Sequence, residues 1–178
     1  MQKKPLILAL LAGLALSGAA QAALTDNGGG LIYDSVLNIT WLQNANLAAS
    51  NTFGVSGIGA DGSMTWNTAQ SWIGAMNAAD YLGQSDWRLP TTSPVNGSSF
   101  NYSYSVNGST DFGYNITSPN SELAYMYYVD LGLAGYYSPT GAVQPNWGIF
   151  GNGTCNGVDC SSYGQNDVGL IDNLQAFV

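Results

Sequence analysis

The chain contains no histidine, and only three of its 178 residues are basic. The first absence removes the commonest general base and the commonest metal ligand. The second removes the clustered Lys and Arg that nucleic acid and anionic lipid require, and the 11 acidic residues repel both. Cysteine is scarce too. Cys155 and Cys160 are the only pair, with no histidine or further cysteine to complete a zinc site. Beyond the N-terminus no apolar run is long enough to span a bilayer. Charged residues make up only 8% of the chain, so solubility rests on Gly, Ser, Asn, Thr and Tyr. Five Trp, eleven Tyr and five Phe are nevertheless enough to build a core.

What is present begins with an export signal. Lys3 and Lys4 precede the apolar run Leu6–Leu16, and Ala20-Gln21-Ala22 supplies a small-x-small cleavage site. Residues 1–22 therefore read as a signal peptide and 23–178 as one domain. Loss of both lysines leaves Arg88 as the single cation of the mature chain. In an exported protein Cys155 and Cys160 read as a disulfide closing a small loop.

Local patterns predict a mixed fold. Two short apolar runs, Leu31–Tyr33 and Ile39–Leu42, flank a polar turn and predict a β-hairpin. Residues 44–62 read as a loop. A helix follows, capped by Ser63 or Thr65, with Trp66, Ala69, Ile73 and Met76 on its apolar face and Trp72 beside it. Asp86-Trp87-Arg88-Leu89 reads as a short extended segment ended by Pro90. Residues 92–117 read as a long loop, with a small hairpin suggested by alternating Tyr102 and Tyr104. A second helix is expected over 119–131, with Ser118 as N-cap, Pro119 at its first position and Glu122 placing negative charge near its N-terminus. Gly132 is the expected stop.

Several phrases in order carry a family resemblance. They are Gly30-Leu31-Ile32-Tyr33-Asp34, Ile39-Thr40-Trp41-Leu42, Met64-Thr65-Trp66, Asp86-Trp87-Arg88-Leu89-Pro90-Thr91, Ser121-Glu122-Leu123 and Gly169-Leu170-Ile171-Asp172-Asn173-Leu174. Together they resemble bacterial exported proteins with the Lcl C-terminal domain, also called DUF1566. The resemblance covers about residues 28–178. It implies an α+β, C-type-lectin-like fold, loop-rich, with two helices packed on a small antiparallel sheet. It also implies a variable insert, here 92–117, between the Trp-Arg-Leu-Pro-Thr phrase and the second helix. In such domains that phrase looks structural, so Trp87, Arg88, Leu89 and Pro90 are expected to hold the fold together with Glu122. Relatives usually continue past Asn173-Leu174-Gln175 into a Tyr-Trp-Ser-type strand. The resemblance therefore implies a truncated member whose last strands are missing.

Function is narrowed mainly by exclusion. Nucleophile–base catalysis has almost no candidates here. Carboxylate chemistry of the glycosidase type would need two acids at a fixed separation. Asp80 with Asp86, or Asp159 with Asp167, read instead as turn residues. The related formylglycine-generating group uses a cysteine pattern absent from this chain. A binding or adhesion module fits better. Tyr102, Tyr104, Tyr114, Tyr136, Tyr137 and Trp147 lie in loop-rich regions beside Asn and Gly, a composition suited to an extracellular glycan or protein ligand. The same rings could instead close the core under long loops. No cofactor is expected, and calcium lacks an Asp-x-Asp-x-Asp loop to support it. A structural surface or matrix protein is the alternative reading.

Overall fold

A computed structural model describes residues 24–148 and 166–174. The signal segment, Cys155, Cys160 and Asp159 lie outside the described residues. The expected hairpin forms the centre of a three-stranded antiparallel meander: β1 (Leu24–Asp26), β2 (Leu31–Asp34) and β3 (Ile39–Leu42). Ile32 faces Trp41 and Asp34 faces Ile39 across the β2–β3 register. Strand alternation sends Ile32 and Asp34 to the buried side. The turn closes because Asp34 Oδ1 accepts the Val36 and Leu37 amides at 2.9 and 3.0 Å.

The α1 helix (Trp66–Ala78) starts where Thr65 Oγ1 accepts the Thr68 amide at 3.2 Å. Its buried face is carried by Trp72 and Met76 rather than by Trp66, which is 68% exposed. Trp66 occupies the first helical turn and projects past the packed surface. Trp72 is drawn inward by Phe53 and by its indole N–H, which donates to the Asn51 carbonyl at 2.9 Å. Leu47 and Ala48, in a 3-10 turn within the expected loop, complete this cluster.

The Asp86–Pro90 segment is extended but pairs with no strand among the described residues. The Asn77 side chain takes the place of a strand neighbour. Its Oδ1 accepts the Trp87 amide at 2.8 Å, and its Nδ2 donates to the Trp87 carbonyl at 2.9 Å. Asn77→Ala leaves both backbone groups unpartnered and is expected to cost about 2 kcal/mol. Urea unfolding checks this; wild-type stability would show that water replaces the amide without loss.

Three further expectations are corrected. The second helix starts at Glu122, not 119: α2 (Glu122–Tyr125) runs into a π turn over Met126–Asp130. Ser118 begins a turn instead, closed by the Ser121 amide donating to the Ser118 carbonyl at 3.1 Å, and Ser93 donates to the Asn120 carbonyl at 2.7 Å while Thr92 bridges Ser121, which ties 120–121 to the chain before the insert. The insert contains no antiparallel hairpin; β4 (Tyr104–Ser105) and β5 (Phe112–Gly113) pair in parallel. Gly132 does end the helical segment, at φ +61°.

The final strands, β6 (Asn166–Val168) and β7 (Ile171–Leu174), form an antiparallel pair. Asp172 ties β7 to the end of β3 by donating to the Gln43 carbonyl at 2.7 Å and accepting from Ala45 at 2.9 Å. Ile171, Ile32 and Met126 then meet in a second buried cluster that joins sheet, helix and C-terminal hairpin. Among the described residues no helix is long and apolar enough to cross a membrane.

Candidate functional site

The loops between Pro94 and Gly148 carry the rings that the sequence singles out. Polar side chains rather than a core hold these loops. The Asp111 carboxylate accepts the Val95 and Asn101 amides, each at 2.7 Å. The Thr110 hydroxyl, buried, lies 2.6 Å from the Ser103 carbonyl oxygen and 2.9 Å from Ser105 Oγ. Asn115 joins the insert to the following loop: its Nδ2 donates to the carbonyls of Val106 (2.5 Å) and Tyr137 (2.8 Å). The 134–148 loop folds on itself through the bridges Ala134–Trp147 and Tyr137–Val143.

On this frame five of the six expected residues touch in one continuous run. Tyr104 meets Tyr114 edge-on at 6.3 Å between ring centroids. Tyr114 contacts Tyr137 at 5.5 Å and Tyr136 at 6.5 Å. Tyr136 contacts Tyr137 at 4.7 Å and Trp147 at 5.2 Å. Gly135 permits the approach, since a Cβ there would press on Tyr114 and Tyr128. Exposure grades along the run: Tyr114, Tyr136, Tyr137 and Trp147 are half-buried, and Tyr104 is 55% exposed. Tyr102 stands apart, 72% exposed and stacked on Phe100 at 5.6 Å with ring planes 11° apart.

Phe100 and Phe112, both exposed, were not among the residues singled out from sequence. Phe112 packs edge-on against Tyr104 at 6.0 Å. The signal was available: Phe100, Tyr102 and Tyr104 repeat at every second position, as do Phe112 and Tyr114. The rings present no formal charge at neutral pH. Desolvation, then the neighbouring Tyr114 and Tyr137 phenols, push the Tyr104 hydroxyl further up from its ordinary value.

The residues expected to be structural lie elsewhere. The Arg88 guanidinium grips Glu122 with both arms, Nη1 to Oε2 and Nη2 to Oε1, each at 2.7 Å. Glu122 Oε2 also accepts the Thr91 amide at 2.7 Å. The Arg88 guanidinium holds the Glu122 carboxyl below the usual carboxylate range, and the Thr91 hydrogen bond adds to this against the cost of burial. Leu89 and Pro90 are half-buried beside this clamp. The clamp borders a groove of about 850 Å³ walled by Trp41, Trp72, Met76 and Ile171. Arg88 and Glu122 are already committed to each other there, and the walls belong to the two core clusters. Asp80 sits in a left-handed turn at the exit of α1, and Asp86 is exposed in the extended Asp86–Pro90 segment, the strap that leads to the clamp. Among the described residues no group of three or more acidic or cysteine side chains gathers to hold a metal.

The described residues form a small α+β domain with short helices, small sheets and long ring-bearing loops. The family model of the Lcl C-terminal domain matches residues 30–142, well over half of the chain, and the protein belongs to that family. The match takes in the clamp and most of the aromatic run. No curated protein and no solved structure matches the chain.

Proposed function

We propose that this protein is an exported, non-catalytic binding domain that takes an uncharged, hydroxyl-rich extracellular ligand such as a glycan on its aromatic loop face. The observation that carries this is the continuous ring run from Trp147 to Tyr104, which starts half-buried and ends exposed. Half-buried rings fix the geometry, and outer rings offer flat apolar faces for the C–H side of a sugar. Neighbouring Asn and Ser side chains supply neutral hydrogen-bonding groups. A chain without histidine has few means of activating a nucleophile, which supports a non-catalytic reading. The antiparallel meander with long ring-bearing loops supports a C-type-lectin-like relationship.

The test is retention of the secreted protein on a glycan array, alongside Tyr102→Ala and Tyr104→Ala. Each substitution is expected to weaken binding by about tenfold or more. Melting temperature should stay within about 2 °C, because both side chains are exposed. Binding unchanged in the double variant would remove the face from the ligand site. No retention on any glycan, with concentration-dependent self-association, would favour a structural matrix protein. Turnover of a glycoside would overturn the non-catalytic reading.

A further inference from the structure

Among the described residues, the junction between β2 and the helical segment 122–131 contains two carboxyl groups and no cation to pair them. Asp34 is fully buried. Its oxygens already face three donors: the Val36 and Leu37 amides, and the Trp41 indole N–H at 3.4 Å. Asp130 ends the π turn, and both of its carboxyl oxygens are closed off from water with no hydrogen-bond donor in reach. Tyr125, on the same segment, also faces them; burial first, then the charges of Asp130 and Asp34, pushes its phenol up. The one cation among the described residues, Arg88, is held by Glu122. Two ionised carboxylates here would repel each other without screening.

We propose that Asp34 and Asp130 share one proton across this junction in the native protein, and that its loss loosens the docking of segment 122–131 on β2. The proton sits on Asp130, which becomes the donor to Asp34 and so satisfies a buried oxygen that otherwise has no partner. Burial, then the Asp34 charge and the hydrogen bond to Asp34, raises the Asp130 carboxyl to about 7. The consequence for stability has a definite sign. Above about pH 4 the unfolded chain has released this proton while the native chain keeps it. Stability therefore falls as pH rises from about 4 to about 7, and the loss is complete above that. Glu122, at the other end of the same segment, has the opposite need: its carboxylate must stay ionised to hold Arg88. One short helical segment thus favours mildly acidic solution from both ends.

Thermal melts of the secreted protein between pH 5 and pH 8 test this, with Asp130→Asn as the uncharged mimic. The wild-type midpoint is expected to drop by about 5 °C across that range, a figure reduced for the partial exposure of Asp130. Asp130→Asn should be nearly flat and should melt higher than wild type at pH 8. Infrared titration of the wild type gives a direct reading that needs no variant: one protonated carboxylic acid should persist well above the ordinary aspartate range. Absence of that band at pH 5.5, or a wild-type profile as flat as that of Asp130→Asn, overturns the proposal. So does a rise in the wild-type midpoint at pH 8 on adding calcium chloride that a chelator reverses, because a cation would then be what bridges the pair.

Discussion

Arg88→Ala is expected to destabilise the protein by about 2–3 kcal/mol at pH 7, and Glu122→Gln by about 1–2 kcal/mol. The asymmetry follows from burial. The Glu122 side chain is 11% exposed and the Arg88 side chain 48%. Removing the arginine strands a carboxylate that cannot easily reach water, with only the Thr91 amide left to it. Removing the carboxylate frees a guanidinium that can turn outward and hydrate. Half-exposure of Arg88 also keeps the figure below the range of a fully buried pair. Urea unfolding at pH 7 checks both values, and a double-mutant cycle should give a coupling near 1–2 kcal/mol. The pH dependence supplies a second check. Arg88 depresses the Glu122 pKa, so the clamp contributes fully above the ordinary glutamate range and is lost as pH falls through the lowered value. The gap between wild type and Arg88→Ala should therefore narrow as pH falls below the ordinary glutamate range. A gap that stays constant with pH would mean that Arg88 acts through packing of its stem rather than through charge.

The sequence carried the parts of this fold that depend on neighbours in the chain. Alternation of apolar residues across the polar turn placed β2 and β3, and of the two cap candidates, Ser63 and Thr65, it is Thr65 that starts α1. Periodicity found the right face of α1 but misjudged Trp66, because a first-turn residue is buried only if some other element reaches over it. The start of α2 was misread for a related reason. Ser118 and Pro119 have the chemistry of a helix start, but pairing of Ser93 and Thr92 with 120–121 wins and delays the helix to Glu122. The role of Glu122 was legible only in part. Negative charge at a helix start was readable, whereas its partner lies 34 residues away. Asp34 and Asp130 gave no signal at all, since each looks like an ordinary turn or helix-end aspartate until the chain is folded.

The aromatic site shows the same division between residue type and contact. Tyr, Trp and Asn in Gly-rich loops announced a candidate face. Which rings touch depends on Asn115 and Asp111 tying distant loop backbones together, and no spacing rule predicts that. Expected ligand residues and expected structural residues also separate cleanly in space. The ring run belongs to the loops, while the clamp belongs to the junction of strap and helix, so each can be altered without touching the other.

Gly113→Ala is expected to abolish ligand retention while leaving most of the global stability intact. Gly113 lies in β5 at φ +129°, a conformation L side chains rarely adopt, and a Cβ there would collide with the Ser105 carbonyl oxygen. That oxygen accepts the Tyr114 amide at 3.0 Å. Relief of the clash must open the β4–β5 pair, and opening it moves Tyr104 on one side and Phe112 and Tyr114 on the other. The outermost and first half-buried rings of the run then lose their edge contact. Neither buried cluster includes these residues, so the melting temperature should fall by only a few degrees, in line with a loss of about 1–2 kcal/mol. Gly97→Ala is the matched control. It has the same left-handed strain, at φ +73°, but nothing stands within 4 Å of the added Cβ. Near-ultraviolet circular dichroism and exchange of the Tyr114 amide should change in Gly113→Ala and stay unchanged in Gly97→Ala. Binding by Gly113→Ala at wild-type strength, despite an exposed Tyr114 amide, would show that Tyr104 and Tyr114 need not be held together and would move the ligand site onto the Tyr136–Trp147 end of the run.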